Sequence, residues 1–203
     1  KEHKDGRITY YHQMLCAAIV NPNFKEVIAF APEAILKQDG ANKNDCERNA
    51  SKRLLTDFRR EHPHLKMIVV EDGLASNAPH IQLLKELDMR FILGAKPGDH
   101  KFLFEWVDKS QANTYEIKDT DGTTHRFRYI NNVPLNYDNF DLNVNFLEYW
   151  EISNKGVPKQ HFTWVTDILI SDINVFLLTR GARARWRIEN ETFNTLKNQG
   201  YHF

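Results

Sequence analysis

The chain has 203 residues, 41% hydrophobic and 27% charged, with 27 basic residues balancing 27 acidic ones. That is apolar enough for a sizeable core and excludes an intrinsically disordered composition. A net charge of zero gives no whole-chain attraction for a polyanion, and the best apolar run, Met14 to Val20, is far too short to span a membrane.

No secretory signal is read at the start, and the chain opens at Lys1 without an initiator Met, so a fragment of a longer protein is expected. Cys16 and Cys46 have no C-x-x-C spacing, which predicts free thiols in a reducing, cytoplasmic compartment.

Arg7 to Val20 and Phe24 to Phe30 are rich in β-branched and apolar residues around Asn21-Pro-Asn23, which predicts two antiparallel strands and a turn. Pro32 to Gly40 reads as a connector. Ala50, Leu54, Leu55 and Phe58 recur at helical spacing, so Asp45 to Arg60 is predicted helical, ending before Pro63. Lys66 to Asp72 is a short apolar run closing on acid, read as a buried strand with Asp72 at its carboxyl end. Sites in open α/β sheets are built at such ends. Ser76 or Asn77 can cap a helix with Pro79 in its first turn, running to about Leu87.

Arg90 to Leu93 is a further strand, closed by Gly94 to Gly98, and His100 to Val107 is a helix packed by Phe102, Leu103 and Trp106. Thr114 to Ile117 and His125 to Ile130 flank Asp119-Thr-Asp-Gly-Thr123, a hairpin turn. Pro134 to Asn143 is irregular; Asn145 to Glu151 and Phe162 to Val165 are strands. Residues 110–166 therefore read as a mostly β insertion. Asp172 to Thr179 starts a helix that Gly181 is expected to interrupt. No Gly or Pro occurs from Ala182 to Gln199, so a long helix is expected there. The whole order predicts an α/β fold, a mixed sheet flanked by helices.

On an ideal helix with Trp186 at the origin, Phe193 lies at about 340°, Leu196 at about 280°, Glu189 at about 300° and Glu191 at about 140°. Glu189 thus falls within the apolar stripe, where a carboxylate needs a cation, a metal or a cleft; an Arg185–Glu189 surface pair is the competing reading. Arg180, Arg183, Arg185 and Arg187 lie within eight residues, either a phosphate-binding patch or a solvated face. Asp72 has a plain alternative as a turn acid before Gly73. If Asp72 and Glu189 meet, they make a hard oxygen site suited to Mg²⁺ or Mn²⁺.

His62, His64 and His80 show no metal-ligand spacing and read as surface or loop residues, with a place lining the cleft as the lesser alternative for His80. No phosphate-binding Gly loop is present, so no nucleotide cofactor is expected, and no G-x-S-x-G elbow is present. Trp150, Trp164, Tyr129, Tyr137 and Tyr149 are read chiefly as packing residues, with base stacking as the lesser alternative.

Three segments carry a resemblance. Arg185-Trp-Arg-Ile-Glu-Asn-Glu-Thr-Phe-Asn-Thr-Leu-Lys-Asn-Gln-Gly-Tyr201 resembles the C-terminal signature of bacterial insertion-sequence transposases of the DDE class. Val69-Val-Glu-Asp-Gly-Leu-Ala-Ser-Asn-Ala-Pro-His80 resembles their second-Asp segment, and Ile92-Leu-Gly-Ala-Lys-Pro-Gly-Asp-His100 resembles the segment that usually comes after it. The resemblance spans nearly the whole chain. It implies a ribonuclease H-like fold with residues 1–109 as the first part of the core, 110–166 as a β insertion and 167–203 as the helices that complete the core.

It further implies DNA cleavage and strand transfer at insertion-sequence ends with Mg²⁺ or Mn²⁺, DNA as partner, a homodimer as one possible assembly, and no membrane association. Asp72 matches the second acid and Glu189 the third, both as metal ligands. Arg183, Arg185, Arg187 and Lys197 are the DNA-holding candidates. Arg185 matches the Arg of the family's Tyr-x-x-Arg-x-x-x-Glu signature. Ala182 stands at the Tyr position, and Leu196 at the later Lys position, with Lys197 one residue beyond. The first acid has no match and is expected upstream of Lys1. Two other readings compete: an inactive DNA- or partner-binding fragment, and an α/β domain whose acids are only caps.

Overall fold

The computed structural model describes residues 4–8, 13–40, 42–193 and 198. Contacts group the chain into two units, one of Lys1–Val20, Lys25–Leu65 and Arg187–Phe203, the other of Asn21–Phe24 and Lys66–Trp186.

In the first unit β1 (Gln13–Leu15) pairs antiparallel with β4 (Glu33–Ile35). β2 (Ala18–Asn21) and β3 (Phe24–Ala29) form a separate two-stranded sheet around the expected turn. The stretch read as a connector therefore contains a strand and a 3₁₀ turn, Lys37–Asp39. A three-residue strand shows too little alternation to register in sequence. The first helix, α1 (Lys43–Glu61), starts two residues earlier than expected. Its Arg53 donates to Glu33 Oε1 at 2.7 Å, Asp39 Oδ1 at 2.5 Å and the Ala34 carbonyl at 2.9 Å, tying helix to strand. That guanidinium, with the Leu36 amide, holds the Asp39 carboxyl below the usual range.

The second unit is a six-stranded mixed sheet. β5 (Ile68–Glu71), β6 (Arg90–Gly94), β7 (Asn113–Lys118), β8 (Thr124–Pro134), β9 (Asn143–Ile152) and β10 (Pro158–Thr166) lie in the order β5-β6-β10-β9-β8-β7. Only β5 and β6 are parallel; the other neighbours are antiparallel. The strand expected to be buried, β5, is an edge of this sheet, and Ile68 is 50% exposed. The β2–β3 pair does not join the sheet among the described residues; strands from the middle of the chain extend it instead. The turn at residues 119–123 forms as predicted, with Gly122 at φ +85° and Asp121 Oδ1 accepting the Thr123 amide at 2.8 Å.

Alternation along the strands divides two cores. On one face Ile92, Phe127, Tyr129, Leu147, Tyr149 and Trp164 receive Val175, Leu178 and Ala182 of α4 (Val175–Arg183). On the other, Phe104 of α3 (Lys101–Lys109) meets Phe146 edge-on at 5.2 Å. α2 (Ala78–Glu86) packs against β6 with Ile81 and Leu84 fully buried. Gly181 does not interrupt α4, because the packing of Leu178 and Ala182 on the sheet outweighs its cost of about 1 kcal/mol. Of the aromatic residues considered for base stacking, Trp164, Tyr129 and Tyr149 are buried in this core, whereas Tyr137 is 79% exposed and Trp150 stacks on His161 at 5.0 Å. No helix among the described residues is long and apolar enough to cross a membrane.

The most buried carboxylate of the sheet is paired. Glu148, 5% exposed, accepts from Arg128 at 2.6 Å and lies 2.8 Å from His161 Nε2. Arg128→Met strands that buried carboxylate with His161 as its remaining side-chain hydrogen-bond neighbour. The expected loss is about 3 kcal/mol, read as a lowered denaturant midpoint at unchanged slope.

Candidate functional site

β5 and β6 run parallel, joined by α2, so the chain leaves both strands at the same end of the sheet. Asp72 is the first residue beyond β5 and is exposed. Its Oδ1 accepts the Leu74 amide at 3.0 Å and its carbonyl accepts the Ala75 amide at 3.2 Å, a turn that fixes the backbone while Oδ2 takes no hydrogen bond among the described residues. The turn-acid reading is thus the one this geometry bears out.

Three braces hold this strand end. First, the exits of β5 and β6 approach closely: a Cβ on Gly94 would lie 3.1 Å from Gly73 N and 3.3 Å from the Asp72 carbonyl carbon. Only a residue without a side chain allows that spacing unstrained. Second, Ser76, 2% exposed, donates to the Gly73 carbonyl at 3.0 Å and sits 2.7 Å from His100 Nε2. With the Ser76 proton on Gly73, His100 Nε2 carries the hydrogen that Ser76 accepts. Burial pushes the His100 pKa down, Asp99 opposing, so the ring is neutral near pH 7. A hydroxyl so buried and committed is a strut, not a nucleophile. Third, buried His80 places Nε2 2.6 Å from Glu71 Oε2, and Asn77 caps α2 by accepting the His80 amide at 3.1 Å.

His80 is thus not the surface or loop residue expected: it is buried against the carboxylate beside Asp72. Neither that pair nor Ser76–His100 has a signal in sequence, because each joins residues brought together only by the strand-to-helix turns. The cap at Asn77 is legible there.

The C-terminal segment differs from expectation. α4 ends at Arg183, where the Ala184 amide bonds both the Arg180 and Gly181 carbonyls at 3.0 and 3.1 Å and the Arg185 amide reaches Ala182 at 3.4 Å. Such three-residue bonds tighten and close a helix. Ile188–Phe193 is then a π-helical turn, in which the bond spacing is five residues. The ideal-helix angles given to Glu189, Phe193 and Glu191 therefore do not describe this backbone. Trp186, their reference, is 47% exposed. Glu189 is half-buried and Glu191 exposed.

Asp72 belongs to the second unit and Glu189 to the first, and each is described within its own. Among the described residues, no group of three or more His, Cys, Asp or Glu side chains has an arrangement that holds a metal. Arg183 is engaged within its own unit, donating to Glu151 Oε2 at 3.1 Å with its guanidinium 5.8 Å and 5.7 Å from the Tyr149 and Phe162 ring centres. Arg185 stacks over Trp186 at 5.0 Å, Arg187 is half-buried, and Lys197 and Leu196 lie outside the described residues.

Compared with protein-family models and with curated proteins, the chain has no match.

Two outcomes follow from these braces. His100 is neutral in the fold and has an ordinary pKa of about 6.5 when unfolded, so the unfolded chain binds the extra proton first. Its contribution is complete above about pH 6.5 and is lost as pH falls through the lower folded value; the slope of the denaturant midpoint over that range is expected to flatten in His100→Asn. Gly94→Ala is expected to lower the melting temperature, since the added Cβ presses on backbone at 3.1 Å; an unchanged melting curve would remove the close approach as a constraint.

Proposed function

We propose that this chain is the catalytic part of a DDE-class insertion-sequence transposase with a ribonuclease H-like core, cutting and joining DNA strands with a divalent metal. The observation that carries the reading is Asp72: an exposed carboxylate with no ion pair among the described residues, at the carboxyl end of a parallel strand pair, on a backbone braced from three sides. The resemblance of the Val69–His80, Ile92–His100 and Arg185–Tyr201 segments to that family supports it, as does the β5–α2–β6 unit on which such a core is built.

The Asp72 carboxylate is a hard oxygen donor with one oxygen free of hydrogen bonds among the described residues, which fits one position of a Mg²⁺ or Mn²⁺ site; Glu189 is a metal ligand on the resemblance alone. A bound ion of this kind supplies Lewis acidity at the scissile phosphate. The chain's own part is to hold Asp72 at a fixed place, through the Leu74 amide and the Gly73–Gly94 contact, and to keep Ser76 and His100 neutral and out of the chemistry. Work on DNA in the reducing cytoplasm suits the thiols Cys16 and Cys46, both free. A homodimer that brings two element ends together is the assembly this reading favours.

The test uses the full protein on supercoiled plasmid bearing the element's ends, with Mg²⁺ or Mn²⁺. Asp72→Ala and Glu189→Ala are each expected to lose cleavage by roughly 100-fold or more, as the loss of several kcal/mol of charge stabilisation demands. Wild-type cleavage rates in both variants would defeat the reading; DNA binding without nicking by the unaltered protein would replace it with a binding role.

A further inference from the structure

The loop that closes β6 carries one basic side chain whose placement the proposed chemistry has not used. Lys96 is exposed, yet its backbone is rigidly held. The Ala95 amide donates to the Thr163 carbonyl of β10 at 3.0 Å, and the Thr163 hydroxyl donates back to the Ala95 carbonyl. On the other side, the Asp99 and His100 amides both donate to the Lys96 carbonyl at 3.0 Å. The methylenes of Lys96 then lie over Gly73: a Cβ added to Gly73 would meet Lys96 Cε at 3.6 Å and Cδ at 3.7 Å. The stem is therefore laid along the backbone next to Asp72, at ordinary van der Waals distance from residue 73.

Neither the Lys96 ammonium nor the Asp72 carboxylate has an ion-pair partner among the described residues. Elsewhere in this unit two half-buried cations are matched by carboxylates: Arg128 by Glu148 and Asp108, Arg183 by Glu151. A cation and an anion left unmatched on one strand-end shelf suit a ligand that carries negative charge for the first and coordinates through the second.

We propose that Lys96 contacts a DNA phosphate adjoining the Asp72 carboxylate, and so is a positioning residue for the strand to be cut. The inference rests on the reading of Asp72 given above. Lys96 is a point-charge donor on a fixed backbone, so it sets where the phosphodiester lies without reading sequence.

The experiment uses the full chain and fluorescein-labelled duplex DNA of mixed sequence. Each phosphate neutralised adds about 0.9 to the slope of log affinity against log salt. Lys96→Gln is expected to lower that slope by about 0.9 while Lys96→Arg restores it. In parallel, lysine acetylation followed by mass spectrometry is expected to show Lys96 protected by DNA and Lys155, in the β9–β10 turn, unprotected. Equal labelling of Lys96 with and without DNA, together with an unchanged slope in Lys96→Gln, overturns the assignment, even where Asp72→Ala abolishes cleavage. Full cleavage by Asp72→Ala overturns instead the reading beneath it, whatever Lys96 does.

Discussion

β6 is bonded on one side to a parallel strand and on the other to an antiparallel one, and the rest of the second unit depends on that double pairing. The parallel side forces a crossover, which α2 supplies, and brings two strand exits to the same end. The antiparallel side lets β7 to β10 continue the sheet as a meander, wide enough for α4 to cover one face and α3 to pack on the other. β6 itself is the most buried strand of the pair: Phe91, Ile92 and Leu93 are at most 2% exposed, alternating between the two cores. Arg90 is held at its start by Asp167, whose other oxygen accepts the Phe91 amide at 3.0 Å, so the strand is pinned at entry as well as at exit.

The second unit handles its ionisable groups in two ways. Inside the sheet several of them are matched in a chain. Asp119 meets His125 at 3.0 Å, His125 meets the Tyr149 hydroxyl at 2.7 Å, and Tyr149 and Arg183 both reach Glu151. Burial, with Glu151 adding to it, raises the Tyr149 hydroxyl pKa well above its ordinary value, so it stays a neutral link. Low dielectric makes each such link expensive to break, which is why the chain is complete. At the carboxyl end of β5 and β6 the pattern reverses: hydrogen bonds fix the backbone, and the charged tips of Asp72 and Lys96 are left to solvent. Hydrogen bonds supply the structure there, and the Asp72 carboxylate has no ion pair among the described residues.

How much was legible can be followed through particular residues. The hairpin at Asp119–Thr123 was readable because Gly122 must take a positive φ and Asp121 can bond Thr123 locally. The Asn77 cap was readable because Asn, then Ala-Pro, is a local chemistry of helix starts. The strand carrying Asp72 was readable as a strand, and its edge position was not, since which strand lies beside it is decided by residues far away. The single helix expected from Ala182 to Gln199 is interrupted within its described residues for the same reason, and most of 194–199 lies outside them. Every residue from Ala182 to Gln199 is compatible with an α-helix, yet the chain turns at Ala184–Arg185 and widens over Ile188–Phe193. Propensity is worth tenths of a kcal/mol per residue, and tertiary packing overrides it.

By itself, the order of residues determined the Asp119–Thr123 turn, the Asn77 cap and the presence of the strands around Asp72 and Ile92, because those depend on φ preferences and hydrogen bonds a few positions apart. It also placed Asp72 just past a strand, the single feature on which the site reading stands. Tertiary structure alone decided that β10 lies beside β6, that Gly94 gives way to Gly73, that His80 and His100 brace the strand end, and that Lys96 lies over the backbone next to Asp72. Those contacts join residues separated by up to about seventy positions, and their energies come from burial and close approach, which no local pattern encodes.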